Sequence, residues 1–139
     1  MSVEIDIVYE GDLRCTATHG PSKQTLTTDA PLDNGGKGEA FSPTDLVAAG
    51  VGTCVVTIMG LVARKSGLDI TGTRVHVEKE MVAQPHRRIG TLRVTVTLPP
   101  GVELSEAARA KLERAAALCP VKQSLHPDVN VVMRFVYPE

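Results

Sequence analysis

The sequence predicts an α+β fold with the element order βββ-α-ββ-α-β. Three observations predict it: apolar residues alternate with polar ones in several short segments, two segments carry helix start and stop signals, and turn sequences separate the segments. The chain has 139 residues, which is about the length of one domain. We therefore expect residues 1–139 to form a single domain, with antiparallel sheets around a buried helix.

The first part of the chain indicates three strands. Apolar side chains recur at every second position in the first two segments, as is typical of half-buried strands. The turn sequences Gly11-Asp12 and 20–23 separate the segments, and their shortness favours an antiparallel meander. A glycine- and aspartate-rich loop then follows over residues 29–39. The predicted strands span residues 3–9, 13–19 and 24–28.

A long uncharged helix is predicted next. Ser42 suits the N-cap, Pro43 the first helical position, and Asp45 can approximate a capping box, while Gly67 ends the helix. Residues 46–63 carry no charge, so length alone would permit a membrane span. Its glycines and only mild hydrophobicity favour a core helix instead. Because a helix that is apolar all round is buried on all sides, we expect a partner subunit to cover its second face.

The second part of the chain predicts two strands, a helix and a last strand. Ser105 caps the helix, and Pro120 interrupts it immediately after Cys119. Ala108, Leu112 and Ala115/Ala116 should form its inner stripe. The predicted elements are strands 73–82 and 89–98, a helix from 106 to about 118, one further turn over 121–125, and a strand over 131–137.

Composition argues against several classes of partner. Fifteen basic residues stand against 16 acidic ones, for a net charge of −1, and the basic residues are scattered. This predicts neither nucleic-acid binding nor a polybasic membrane surface. The N-terminus shows no signal-peptide pattern, and three widely spaced cysteines do not suit a secreted disulfide framework. We therefore expect a cytoplasmic protein whose thiols are reactive rather than structural.

The three cysteines differ in what their positions indicate. Cys54, in the middle of the long helix, would by itself suggest a small buried hydrophobe. Cys119 precedes Pro120, so its sulfur should lie at a helix start, where N–H groups favour a thiolate, although a helix-end cysteine without a role is an equal alternative. The alternation around Cys15 suggests core or sheet packing. No Cys or His pair has zinc-ligand spacing, so neither metal nor cofactor is predicted. Sequence spacing does not exclude a Cys–His hydrolase, because its residues can meet in space, but no local motif supports one.

Two motifs in the chain carry a resemblance to a known family. The first motif is Gly38-x-x-x-Ser42-Pro43-x-Asp45-Leu46-x-x-Ala49-Gly50-x-x-x-Cys54, and the second is Leu118-Cys119-Pro120-Val121. Together they resemble the OsmC/Ohr family of osmotically inducible and organic hydroperoxide resistance proteins, in which a Cys-Pro begins at the second cysteine. The predicted element order also resembles the family across essentially the whole chain.

This resemblance implies a thiol-dependent peroxidase. Cys54 would attack an organic hydroperoxide and become a sulfenic acid, and Cys119 would resolve it to a disulfide. An external dithiol or a lipoyl-type reductant would recycle the pair, and apolar walls would favour organic peroxides. The resemblance also implies an intertwined homodimer with active sites at its interface, which agrees with the partner expected for the long helix.

The resemblance further implies an arginine near the peroxidatic thiol, oriented by a carboxylate at the Asp45 position. Asp45 also suits a plain helix-start role, and it can only orient an arginine between itself and Cys54, because an ideal helix puts the two on opposite faces. Arg14 is the first choice, with Arg87 and Arg88 as alternatives. Departures from the family pattern, such as Asp29 where one branch has its arginine, suggest a less characterised OsmC-like branch.

Two other functions fit the same fold. One is a non-catalytic protein that binds a small apolar or electrophilic molecule in the interface pocket. The other is a thiol redox sensor, in which the cysteine pair reports oxidant without turnover. A binder should keep its affinity when Cys54 is replaced by serine, and a sensor should oxidise once, whereas a peroxidase needs both thiols and a reductant.

Overall fold

A computed structural model describes residues 1–139, which divide into two compact units, Met1–Val47 and Ala48–Glu139. The observed order confirms the predicted α+β class and the sequence of elements. The one-domain interpretation stays a prediction, and each unit is described by itself. The strands are β1 (Ile5–Gly11), β2 (Arg14–His19), β3 (Thr25–Asp29), β4 (Arg74–Val82), β5 (Arg88–Thr97) and β6 (Asn130–Val136). The helices are α1 (Pro43–Lys65), α2 (Glu106–Ala117) and α3 (Pro120–Gln123).

The first unit is an antiparallel sheet in the order β1-β2-β3, as predicted. Its first turn lies one residue later than expected, because Asp12 and Leu13 both adopt positive φ, at 53° and 63°. Positive φ at both central residues is the geometry of the tight hairpin turn that matches strand twist. β2 therefore begins at Arg14, which pairs directly with Asp29 of β3.

The strand β1 differs from its prediction in burial. Alternation predicted a half-buried strand, yet Ile5, Ile7 and Val8 are all exposed, with Ile7 65% accessible. The alternation correctly indicated a strand, but nothing in this chain covers either of its faces. This leaves an apolar strand surface that the chain itself does not cover.

The second unit contains the buried core of the protein. The predicted alternation on β5 is confirmed, since Leu92, Val94, Val96 and Leu98 are all almost fully buried. Leu112, Ala115 and Ala116 of the predicted α2 stripe are buried as well, while Ala108 is only half-buried.

One strand pair in the second unit departs from the expected antiparallel arrangement. β4 and β5 are antiparallel, but β5 and β6 are parallel. The chain between β5 and β6 carries α2 and α3, and such a crossover returns it to the end of the sheet from which β5 started.

The helix α1 is buried on one face only. Its buried residues include Val51, Val55 and Met59, whereas Thr53, Thr57 and Leu61 are exposed. The single chain thus covers one face of α1, as expected, and the partner subunit expected to cover the second face stays a prediction. By length and composition α1 could cross a membrane, but this is weak evidence, because core helices meet the same criterion.

Close packing fixes α1 against β4. A β-carbon at Gly52 would lie 2.8 Å from Val77 Cγ2, closer than real side-chain contacts allow. Glycine at this position therefore lets the helix backbone approach the strand. This contact fixes the position of α1 along β4. It therefore also fixes the position of Cys54, which follows Gly52 by about half a helical turn.

Candidate active site

The thiols of Cys54 and Cys119 form a pair in the second unit. Gly50 lies one helical turn before Cys54 on the same face of α1. A β-carbon at Gly50 would be 3.8 Å from Val121 Cγ1, so α3 packs on this face. Because Cys119 immediately precedes α3, this packing brings it to Cys54, and the two thiols are hydrogen-bond partners. Sequence alone gave no reason for this contact apart from the family resemblance.

Cys119 caps the short helix α3, as the Cys-Pro sequence predicted. The N–H of Lys122 donates to Cys119 Sγ at 3.5 Å, and Pro120 is the first helical residue. The expected preference for a thiolate is nevertheless wrong. Burial raises the pKa of Cys119, the Cys54 thiol raises it further, and the N–H of Lys122 only partly offsets both. Cys119 is fully buried, so desolvation of the charged form is the larger effect and the thiol stays protonated near neutral pH.

The two thiols differ in accessibility. Cys54 is half-buried, whereas Cys119 is buried, and all three cysteines of the chain are free. A small oxidant therefore reaches the sulfur of Cys54 more readily than that of Cys119. Once one of two touching thiols is oxidised, the other can displace the oxygen and form a disulfide. The arrangement is capable of two-electron thiol chemistry.

Cys15 is the second residue of β2, the central strand of the first sheet. It is opposite Tyr9 on one side and Thr28 on the other, and it is half-buried. This location agrees with the sheet-packing interpretation of its alternation pattern. Cys15 thus serves as an internal reference thiol for experiments on the other two.

Arg14 belongs to a cluster in the first unit that includes two carboxylates. Its Nη1 donates to Glu39 Oε1 at 3.0 Å and lies 3.6 Å from Asp29 Oδ2. Arg14 is the first residue of β2, directly after the hairpin turn. Sequence reasoning named Arg14, and it named Asp29, the last residue of β3, only as a departure from the family pattern and not as the partner of Arg14.

Asp29 is an unusual residue because its carboxylate is buried, with 1% of the residue exposed. Its Oδ2 accepts a hydrogen bond from the N–H of Glu39 at 3.0 Å, while Oδ1 has no hydrogen-bond partner. The N–H of Glu39 is the main cause that lowers the pKa of Asp29, and Arg14 adds to it, against the opposing effect of burial. Hydrogen bonds to the charged form thus outweigh desolvation, and Asp29 is ionised at neutral pH.

The lowered pKa of Asp29 predicts an acid sensitivity of folding. The folded state holds the carboxylate more strongly than the unfolded chain does, so this stability is present above the ordinary value of 3.8 and is lost as pH falls through the folded-state pKa. We expect the urea midpoint of the wild type to fall more steeply than that of Asp29→Asn between about pH 5 and pH 2. Asp6→Asn removes an exposed carboxylate and is the matched control. Parallel pH profiles for the wild type and Asp29→Asn would contradict this assignment.

Asp45 and Ser42 form a reciprocal capping box at the start of α1. The N–H of Ser42 donates to Asp45 Oδ2 at 2.9 Å, and the N–H of Asp45 donates to Ser42 Oγ at 3.1 Å. The helix-start role is therefore observed, and a second role in orienting an arginine stays a prediction. The alternative arginines lie where β5 begins, with Arg87 exposed and Arg88 half-buried.

Comparisons with known proteins place the fold in one class, the α+β proteins of the OsmC type. The family model described as OsmC-like protein matches residues 36–134. A candidate osmotic stress induced and detoxification response protein from Psychrobacter arcticus 273-4 is 40% identical, with a TM-score of 0.90, over 97% of this chain and 96% of that one. The chain belongs to the OsmC/Ohr family, whose proteins are known as dimers.

More distant structures share the fold. An organic hydroperoxide resistance protein OsmC from Legionella pneumophila is 18% identical, with a TM-score of 0.78, over 98% of this chain and 97% of that one. The organic hydroperoxide resistance protein OhrB of Bacillus subtilis is 17% identical, with a TM-score of 0.69, over 97% and 98%. Among curated protein sequences, none matches the chain.

Proposed function

We propose that this protein is a thiol-dependent peroxidase that reduces organic hydroperoxides. The contact between the accessible Cys54 thiol and the buried Cys119 thiol carries this proposal. Two solved structures with the same fold are named as organic hydroperoxide resistance proteins, which supports the same reaction class. A reducing cytoplasm suits the proposal, because it keeps unpaired thiols reduced between turnovers.

In the proposed reaction the Cys54 thiolate attacks the terminal oxygen of the hydroperoxide. The O–O bond breaks, the Cys54 sulfur takes the terminal OH and becomes a sulfenic acid, and the alkoxide leaves as the alcohol with the proton that the Cys54 thiol released. The Cys119 thiol then attacks the Cys54 sulfur, which forms a disulfide and releases water. An external dithiol, of the small or lipoyl type, reduces the disulfide and becomes oxidised itself. In this proposal Arg14 supplies the positive charge that stabilises the Cys54 thiolate. Asp45 supplies the carboxylate that orients the arginine.

The proposed functional form is a homodimer. On one face of the first sheet Ile5, Ile7 and Tyr9 are exposed, and Leu26 extends this apolar face, because Ile7 and Leu26 both pair with Ala17. The open face of α1 carries further apolar side chains such as Leu61. Two uncovered apolar surfaces on a chain of 14.8 kDa are more than an isolated soluble monomer normally exposes.

Sedimentation equilibrium tests the dimer directly. We expect the wild type to have twice the mass of one chain, and Ile7→Lys to shift it towards the monomer, because a lysine would be desolvated in the interface. Asp6→Lys changes the opposite face of the same strand and is the matched control. A monomeric wild type, or an Ile7→Lys variant that is as dimeric as the control, would exclude this face as the interface.

The decisive test of the activity is an anaerobic titration of the reduced protein with cumene hydroperoxide and, separately, with hydrogen peroxide. We expect rapid stoichiometric loss of two thiols, a Cys54–Cys119 disulfide by mass spectrometry, and a faster reaction with the organic peroxide. Thiol loss no faster than that of free cysteine would refute the peroxidase. Rapid oxidation that no dithiol reverses would instead indicate a sensor.

A further inference from the structure

Three glycines of the helix α1 differ in the space beside them. A β-carbon at Gly52 would lie 2.8 Å from Val77 Cγ2, whereas one at Gly60 would meet no atom within 4 Å. A β-carbon at Gly50 would lie 3.8 Å from Val121 Cγ1, which is ordinary van der Waals contact. The protein with free thiols therefore has room for an alanine at Gly50, although glycine inside a helix is less stable than alanine.

The space at Gly50 lies beside the thiol pair. Gly50 and Cys54 are one helical turn apart on the same face of α1, and Val121 follows Cys119 by two residues. Residues 119–121 therefore lie against both positions. Two bonded sulfurs are closer together than two thiols in van der Waals contact, so formation of a disulfide has to bring the sulfurs of Cys54 and Cys119 together.

Cys119 is tied to α3 by its side chain and by its backbone. The N–H of Lys122 donates to Cys119 Sγ at 3.5 Å, and the N–H of Gln123 donates to the carbonyl of Cys119 at 3.0 Å. Cys119 is also fully buried, so its side chain has no open space in which to rotate alone. Because close packing fixes α1 on β4, the movement that joins the sulfurs falls to α3.

We propose that Gly50 is a positioning residue, whose missing side chain leaves the space that α3 enters when the Cys54–Cys119 disulfide forms. This inference rests on the proposed function, in which that disulfide follows the sulfenic acid. In this step the two sulfurs bond, and the hydroxyl of the sulfenic acid leaves as water with the proton of the Cys119 thiol. A methyl group at Gly50 would already touch Val121, so α3 could approach α1 only by compressing this contact.

The test is the equilibrium of the protein with mixtures of reduced and oxidised glutathione, with the disulfide quantified by mass spectrometry. One oxidised glutathione takes two electrons and two protons from the Cys54 and Cys119 thiols and becomes two reduced glutathiones. We expect Gly50→Ala to lower the equilibrium constant for disulfide formation on the order of 10–100-fold, because overpacking is destabilising. Gly60→Ala adds the same methyl group to the same helix in open space, and it should leave the constant unchanged.

The stability of the reduced variants separates this role from ordinary packing. Alanine forms helices better than glycine does, so under reducing conditions neither substitution should lower the urea midpoint. A reduced Gly50→Ala protein that is less stable than reduced Gly60→Ala, or that does not fold, would show that the space is needed before oxidation. That result would overturn the proposal.

A second substitution across the contact tests its cause. Val121→Ala removes the atom that the new methyl group meets, so the Gly50→Ala/Val121→Ala double variant should form the disulfide about as readily as Val121→Ala alone. If Gly50→Ala lowers the equilibrium constant equally with and without the valine, or in neither background, α3 does not enter this space and the proposal fails.

Cumene hydroperoxide adds a readout that depends on the proposed function. Gly50→Ala should lose its first thiol at the wild-type rate and then form the disulfide more slowly, so that dimedone labels Cys54. A wild type that forms the disulfide with glutathione but reacts slowly with the peroxide would refute the peroxidase and leave the role of Gly50 intact. A wild type that forms no Cys54–Cys119 disulfide with glutathione would refute the role of Gly50.

Discussion

Replacement of Cys54 with serine is expected to abolish hydroperoxide reduction. A serine hydroxyl is a far weaker nucleophile than a thiolate, and it cannot be oxidised to the sulfenic acid that the second step requires. The steady-state rate with a dithiol should fall on the order of 10³-fold or more. No disulfide should involve Cys119, since its expected partner is gone.

The measurement separates the loss of chemistry from a loss of structure. Serine is close to cysteine in size and can still hydrogen-bond with Cys119, so the urea midpoint should change little compared with the loss of activity. Cys15→Ser removes a half-buried thiol on β2 and is the matched control, with a rate near that of the wild type. If Cys54→Ser kept its activity while Cys15→Ser lost it, the assignment of the peroxidatic thiol would be wrong.

The sequence predicted those features of the fold that local chemistry determines. The start of α1 follows from Ser42, Pro43 and Asp45, whose capping box the structure contains. The start of α3 follows from Pro120 after Cys119. Periodicity likewise indicated β5, because its alternate residues are buried within the same unit. In each case the residues that produce the signal are close in sequence to the element that they define.

Features that depend on distant residues could not be predicted in this way. The parallel pairing of β5 and β6 depends on where a long crossover ends, which no local pattern encodes. The exposure of β1 depends on which distant parts of the chain pack on it, although its alternation is that of an ordinary half-buried strand. Alternation reports which residues share a face, and it does not report what covers that face.

The candidate site shows the same division. Family motifs indicated Cys54 and Cys119, but their contact depends on how α3 packs at Gly50. The pKa of Cys119 was expected to be lowered by its helix-start position, and burial reversed this. The sequence did not indicate that Asp29 is buried opposite Arg14, because a charged residue before a loop is ordinary and the two residues become neighbours only when β2 and β3 pair.

Replacement of Cys119 with serine should separate the two halves of the proposed reaction. Cys54 should be oxidised once at close to the wild-type rate, because the peroxide reacts with the more accessible sulfur. The protein should then stall with Cys54 as a sulfenic acid, since no neighbouring thiol displaces the oxygen. One thiol should be lost per chain instead of two. Dimedone should label Cys54 in this variant and not in the wild type, where the disulfide forms first.

The wild type supplies a second readout of the same step. Burial raises the pKa of Cys119, so the fraction that is thiolate, the form that attacks sulfur, grows as pH rises above neutral. Formation of the disulfide should therefore accelerate with pH in the wild type, and Cys119→Ser should show no such step at any pH. Sustained turnover by Cys119→Ser would require another resolving thiol, and Cys15 is the only one left in the chain. Loss of that turnover in the Cys15→Ser/Cys119→Ser double variant would move the resolving role to Cys15, whereas its persistence would show that the dithiol reduces the sulfenic acid directly.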